Sequence, residues 1–140
     1  FARKINRELH LQRLQLADLA LDTRIVNGAI TTSEALWAGV PLVTLQGKHF
    51  ASRMSSSLLS AAGLKSLVTY KLDQYEALAV GLARDPDRMN NFRQHLKENR
   101  LKMPLFDTSR FICNLEKAYL RMVEIYCAGE KPQPIKVINL

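Results

Sequence analysis

Residues 19–45 read LALDTRIVNGAITTSEALWAGVPLVTL, and this stretch decides the fold. A short apolar run near 19–23 reads as a buried strand, and Pro41-Leu42-Val43-Thr44-Leu45 as a second. Between them, Glu34 to Ala38 is helical, closed by Gly39 with Pro41 just beyond. The turn Asn27-Gly28-Ala29-Ile30-Thr31-Thr32 opens directly into that helix. A turn of this kind leaves backbone N–H groups and threonine hydroxyls at the positive end of a helix dipole, where a phosphate is favoured. Gly28 lets the backbone approach a ligand closely.

Outward from this unit the pattern continues. Residues 7–17 suggest a short helix. After Gly47 a helix over roughly 50–62 places Phe50, Met54, Leu58 and Ala61 on one face, with Gly63 as its cap. Leu67-Val68-Thr69 reads as a third short strand. Asp73 with Glu76 forms a capping-box pattern for the next helix, whose buried face carries Tyr75, Leu78, Ala79 and Leu82. Asp85-Pro86 starts another helix as cap and first residue, running to about Arg100. Pro104 breaks the chain. Asp107 or Thr108 caps a long last helix with Phe111, Leu115, Ala118, Met122 and Ile125 at helical spacing. Gly129 and Pro132 end it, and the tail from Pro132 to Leu140 is expected to lie extended. Strands alternating with helices predict βαβ units and a parallel sheet. Two or three strands followed by a helix-rich end fit the C-terminal part of a nucleotide-binding α/β domain, over 1–103. Residues 104–140 are expected to form a long terminal helix and an extended tail packing on the larger region to which the chain belongs.

The 140 residues are 47% hydrophobic, enough for a core. No apolar run approaches the roughly 18 residues of a membrane span, so no membrane partner is expected. The opening FARKINRELH is charged and lacks an initiator Met, as in a chain excised from something longer. The net charge of +7 and pI near 9.7 admit nucleic acid or an anionic ligand. The basic residues are scattered, however: Arg3, Lys4, Arg7 and Arg13, then Arg84, Arg88, Arg93, Lys97, Arg100 and Lys102. The second group reads as a solvated helix face. Aromatic residues do not interleave with the cations, so nucleic acid ranks last among the partners. Cys113 and Cys127 fall on one helix more than a turn apart and cannot bridge within it. They read as free buried thiols of a reducing, cytoplasmic compartment. No His/Cys cluster has metal-ligand spacing, and no metal or other cofactor is expected.

Thr31-x-x-Glu34 admits two readings. It is a capping box. The same atoms also suit a nucleotide, with hydroxyls and amides on a diphosphate and a carboxylate one turn later on a ribose diol. The pattern is neither GxGxxG nor a Walker loop. His10, with Arg7 and Arg13 at spacings of three, shares one helix face and could stack on a base; its alternative is an exposed surface histidine. His49 and His95 read as surface residues and Trp37 as core. Ser52, Ser55, Ser56 and Ser57 lack a GxSxG elbow, which argues against a hydrolase triad. Arg53 is a possible anion contact.

The segments HLQRLQLADLALDT (10–23), NGAITTSEALWAGVPLVTL (27–45), FASRMSSSLL (50–59), PLFDTSRF (104–111) and LEKAYLRMVEIYCAGEKPQPIKV (115–137) resemble the C-terminal end of the O-GlcNAc transferase family, SPINDLY-type enzymes included. The resemblance is in order and spans nearly the whole chain. It implies a GT-B architecture, with two Rossmann-like lobes, a UDP-sugar held by the C-terminal lobe, and tetratricopeptide repeats upstream. By this resemblance His10 matches a histidine near the uracil and Arg7 a basic residue near the nucleotide. Ile5 matches a backbone contact to the uracil. Gly28, Ala29, Ile30 and Thr31 match the phosphate-binding turn, with Thr32 beside it, and Glu34 matches the acidic residue on the ribose. Two departures stand out: animal enzymes have His-Thr-Thr where this chain has Ala29-Ile30-Thr31, and Asp is commoner at the position of Glu34.

The resemblance implies inverting transfer of N-acetylglucosamine from UDP-GlcNAc to Ser or Thr of acceptor proteins. The acid–base residues would lie upstream, so none of this chain's residues is assigned as catalytic. The alternatives are a SPINDLY-like fucosyltransferase using GDP-fucose and a non-catalytic interaction module.

Overall fold

The computed structural model describes residues 3–137. Two compact units divide the chain, Phe1–Met103 and Pro104–Leu140.

The first unit is built on a three-stranded parallel sheet in the order β1-β2-β3: β1 is Ala20–Leu21, β2 Leu42–Leu45 and β3 Val68–Thr69. Ala20 pairs with Leu42 and Leu21 with Val43, while Thr44 pairs with Val68 and Leu45 with Thr69. Helices return the chain between strands, α2 (Ile30–Trp37) from β1 to β2 and α3 (Met54–Ala61) from β2 towards β3. Parallel strands require such crossovers. The central strand is the most buried: Leu42, Val43 and Thr44 are all within 4% of full burial, as expected for a strand covered on both faces. The rest of the buried core includes Ala35, Leu36 and Val40 from the α2 region, Leu59, Ala62, Leu64 and Leu67 from α3 and the turn beyond, and Leu82, Met89 and Leu96 from the helices that follow.

Before the sheet, α1 (Arg7–Leu14) is capped by Asn6, whose side chain accepts from Leu9 N at 2.9 Å. After it come α4 (Leu72–Ala83) and α5 (Pro86–Asn99). Asp85 caps α5 with Pro86 at its first turn, and its carboxylate accepts from Arg88 N at 3.0 Å, as the sequence predicts. Tyr75, Leu78 and Ala79 are half-buried and Leu82 is buried, again as predicted.

Other details differ. Asp73 does not cap α4. The helix begins at Leu72 after Lys71, with no side-chain cap, and Asp73 accepts instead from Gln74 N. Phe50 precedes α3 and is 75% exposed. Arg93 and Arg100 are not a solvated face. Arg93 donates to the carbonyls of Ala17 (2.7 Å) and Gln15 (3.2 Å) beyond the end of α1. Arg100 donates to Trp37 O (2.7 Å) at the end of α2 and stacks over the Trp37 ring at 4.6 Å. Trp37 is accordingly half-buried beneath a guanidinium rather than deep in the core. His95 is half-buried too, with Nε2 2.9 Å from Ala62 O beyond the end of α3. A carbonyl only accepts, so this nitrogen carries the proton. Helix ends expose unpaired carbonyls at the negative pole of the dipole, and cationic or N–H side chains from α5 and its C-cap Arg100 meet that need three times.

The second unit contains α6 (Thr108–Cys127), capped by Asp107 through Arg110 N at 2.9 Å. Ile125 is buried, whereas Phe111 and Met122 of the expected apolar stripe are 62% and 53% exposed. Cys113 and Cys127 are free, as expected, but exposed rather than buried. Residues 130–137 have no regular structure. Ile138 to Leu140, the end of the expected extended tail, lie outside the described residues, as do Phe1 and Ala2.

Candidate functional site

The site is assembled from the loop that leaves β1, the first turn of α2 and one face of α1. Asp22 follows β1 and remains on the ladder, its N–H donating to Val43 O at 3.0 Å. Its Oδ1 accepts from Gly28 N at 2.8 Å and Thr23 N at 2.9 Å. Its Oδ2 accepts from the Thr44 hydroxyl at 2.5 Å. The Tyr75 hydroxyl donates to Asp22 O at 3.0 Å. Burial first, and the Asp22 carboxylate second, hold the Tyr75 phenol above its ordinary value of 10.0. One residue thus ties β1, β2, α4 and the turn together.

Gly28 sits where no larger residue fits. A Cβ there would lie 2.5 Å from Thr32 Oγ1 and 2.6 Å from Thr31 Oγ1. Beneath it the Ser55 hydroxyl donates to Gly28 O at 2.9 Å. Ser55 Oγ is also 2.8 Å from Thr32 Oγ1. A hydroxyl has one proton to give, so Thr32 donates to Ser55 and Ser55 to Gly28 O. Thr32 is 1% exposed and Ser55 fully buried. Thr32 therefore holds the turn from below, while Thr31 is exposed.

Ala29 flanks α2 with no side-chain cap. The Thr31/Glu34 capping box does not form, because the helix starts at Ile30, two residues earlier than a cap at Thr31 requires. The first backbone bond of the helix runs from Ser33 N to Ala29 O at 3.0 Å. The amides of Ile30, Thr31 and Thr32 precede that ladder, as the first N–H groups of any helix do. With Gly28 N taken by Asp22, they and the amide of Ala29 are the donors left to an anion.

Free of a capping role, Glu34 turns to α1. Its Oε1 lies 3.8 Å from Arg7 Nε and its Oε2 3.5 Å from His10 Nε2, and its side chain is 18% exposed. His10 Nδ1 is 3.0 Å from Arg13 Nη2. A guanidinium has no acceptor, so Nδ1 accepts and the neutral ring carries its proton on Nε2, facing Glu34. Of the residues singled out by sequence, Arg7, His10 and Glu34 are brought together, and Gly28, Ala29, Ile30, Thr31 and Thr32 form the adjoining turn. Ile5 lies just before the Asn6 cap and is 37% exposed. Sequence reasoning missed Asp22, Ser55 and Arg13. Asp22 is an isolated carboxylate between an apolar strand and a turn, which is a signal in itself. Ser55 was weighed only as a nucleophile. Arg13 was read as one cation of a helix face, not as the group that sets the His10 tautomer.

Among the described residues no group of three or more His, Cys, Asp or Glu could hold a metal ion. No helix there is long and apolar enough to cross a membrane.

Residues 1–115 match the model of glycosyl transferase family 41. The chain is 41% identical over 131 residues to the probable UDP-N-acetylglucosamine–peptide N-acetylglucosaminyltransferase SEC of Arabidopsis thaliana, covering 93% of this chain and 13% of that one. It is 42% identical over 123 residues to the corresponding SPINDLY protein of Petunia hybrida, covering 88% and 13%. A mutant of the Thermobaculum terrenum O-GlcNAc transferase superposes with a TM-score of 0.84 at 39% identity, over 89% of this chain and 24% of that chain. The chain thus spans about an eighth of the length of these plant relatives. The mixed α/β fold with its parallel sheet agrees with the Rossmann-like lobe expected from the sequence. By the extent of the family match, the chain belongs to glycosyl transferase family 41.

Proposed function

We propose that this chain is the nucleotide-binding segment of a protein O-glycosyltransferase that transfers N-acetylglucosamine from UDP-GlcNAc to serine or threonine. The supporting observation is the convergence of Glu34 with His10 and Arg7 beside the amides at the start of α2. The diphosphate lies on the amides of Ile30, Thr31 and Thr32, with the exposed Thr31 hydroxyl beside them. Ala29 and Ile30 add no side-chain donor, so the backbone and helix dipole carry most of the contact. Glu34 accepts from the ribose diol. The His10 ring, held by Arg13, offers its face to the uracil, and Ile5 offers its backbone. The plant relatives are named as probable UDP-N-acetylglucosamine-dependent enzymes, which supports taking UDP-GlcNAc as the donor and GDP-fucose as its alternative.

In transfer, the sugar–phosphate bond breaks and negative charge develops on the departing diphosphate. Fixed N–H dipoles aimed at that charge stabilise it without reorganising. The turn supplies this contribution, and the acid–base group and the upstream lobe with its tetratricopeptide repeats come from elsewhere in the protein.

Calorimetry of the full-length protein with UDP, GDP and their sugars tests the reading. Binding of UDP and UDP-GlcNAc supports it. Preference for GDP-fucose transfers the site to the fucosyl donor, and binding of no nucleotide leaves an interaction module.

A further inference from the structure

A second crevice, of about 420 Å3, opens at the carboxyl ends of the same strands. Arg24 and Ile25 come from the loop after β1, Lys48 and His49 from the loop after β2, and Tyr70 and Leu72 from the segment after β3. Ligands of open α/β sheets bind at this end, outside the carboxyl termini of the strands. Buried Ser52 fixes one loop, its Oγ donating to His49 O and accepting from His49 N, both at 3.1 Å.

Its charge is one-sided. Arg24 and Lys48 are exposed, and neither has an ion-pair partner among the described residues. No carboxylate lines the crevice. Beside the cations, Ile25, Tyr70 and Leu72 are 69%, 68% and 53% exposed. Ile25 has φ 76°, a left-handed conformation that a β-branched residue rarely adopts. Strain of this kind persists only where neighbours over-determine it. Here Thr23 Oγ1 donates to Val26 O at 2.6 Å, and Asp22 holds Thr23 and Gly28 on either side.

The strained loop runs directly into the phosphate turn, and Asn27 N donates to Ala51 O at 2.9 Å, joining it to the segment after His49. Transfer requires the acceptor hydroxyl to lie beside the donor diphosphate. A polypeptide entering there must pass along walls adjoining the turn. A cationic crevice with exposed aliphatic and aromatic groups suits a chain bearing carboxylates.

We propose that the crevice of Arg24, Lys48, His49 and Tyr70 is an acceptor subsite that binds the acidic side chains flanking the serine or threonine to be modified. This rests on the transferase reading, and the test separates the two. Labelled serine peptides flanked by Asp and Glu, or by Asn and Gln, are titrated by fluorescence anisotropy into the full-length protein saturated with UDP. UDP binding is measured in parallel by calorimetry. The acidic peptide is expected to bind about tenfold more tightly than its amide twin, and Arg24→Gln with Lys48→Gln to abolish that preference. UDP affinity should not change. Equal binding of the two peptides overturns the proposal, as does an acidic preference that survives the double substitution. Loss of UDP binding in the double variant also overturns it, since the cations would then serve the donor. Failure of the unsubstituted protein to bind any nucleotide refutes the transferase reading itself, and with it an acceptor role for the crevice.

Discussion

Glu34 Oε2 on α2 lies 3.5 Å from His10 Nε2 on α1, slightly longer than a typical hydrogen bond, with the Nε2 proton facing the carboxylate. The two residues are 24 positions apart, and only the packing of α1 against α2 makes them neighbours. With Arg13 on the far side of the ring, His10 is oriented from both nitrogens. Glu34→Ala should weaken UDP binding by about 1–3 kcal/mol, the loss expected for hydrogen bonds to a charged group. Calorimetry on the full-length protein reads this. The melting temperature should change little, because Arg7 is largely exposed and such pairs add little to stability.

Thr31 and Thr32 are adjacent but should respond oppositely. Thr32→Val removes the donor to Ser55 in a buried relay and should cost about 1–3 kcal/mol of stability in urea unfolding. Thr31→Val should leave unfolding unchanged and weaken nucleotide binding. The reverse pattern would put Thr32, not Thr31, on the ligand.

Gly28→Ala should destabilise the protein by about 1–3 kcal/mol, as overpacking does. The added methyl would sit 2.5 Å and 2.6 Å from two threonine oxygens, both in the turn it must share with a phosphate. Thermal unfolding and UDP titration should therefore both be impaired, whereas Gly81→Ala, with open space around the site, should not be.

Tyr75 gives an alkaline signature. Its folded pKa is raised above 10.0, so the folded state retains the phenolic proton more strongly than the unfolded chain. Its stabilising contribution is complete below pH 10 and is lost as pH rises through the folded value. Stability measured by urea unfolding should fall above about pH 10. Tyr75→Phe should flatten that fall and lower stability at neutral pH through the lost bond to Asp22 O.

Arg100→Met should lower stability by about 1–3 kcal/mol, since it removes both the bond to Trp37 O and the stacked cation. Lys102→Met, an exposed neighbour, should be near neutral, and denaturant midpoints compare the two.

The turn between β1 and α2 was legible because glycine, threonines and alternating apolar runs are local signals. The helix start at Ile30 was not. The Thr31/Glu34 box is a sound local pattern, yet Glu34 has better partners in Arg7 and His10, which come from another helix. Asp73 also fails to cap α4, but for a local reason: the helix begins at Leu72, and Asp73 accepts from the adjacent Gln74 N instead. Arg93, Arg100 and His95 look like surface residues along α5. They were misread because the acceptors they satisfy, carbonyls at or just beyond the ends of α1, α2 and α3, are 33 to 78 residues away in the chain.

The sequence by itself determined the strand–turn–helix–strand unit, the helix that Asp85 and Pro86 begin, and the residues that resemble the family. Each depends on neighbours within a few positions, where backbone geometry and the hydrophobic period act. Only the tertiary structure decided that Glu34 faces His10 rather than its own helix start, that Thr32 is a buried tie while Thr31 is open, and that Asp22 occupies Gly28 N. Those outcomes turn on which donor reaches which acceptor across elements, and a polar group taken out of water adopts the nearest partner that packing supplies.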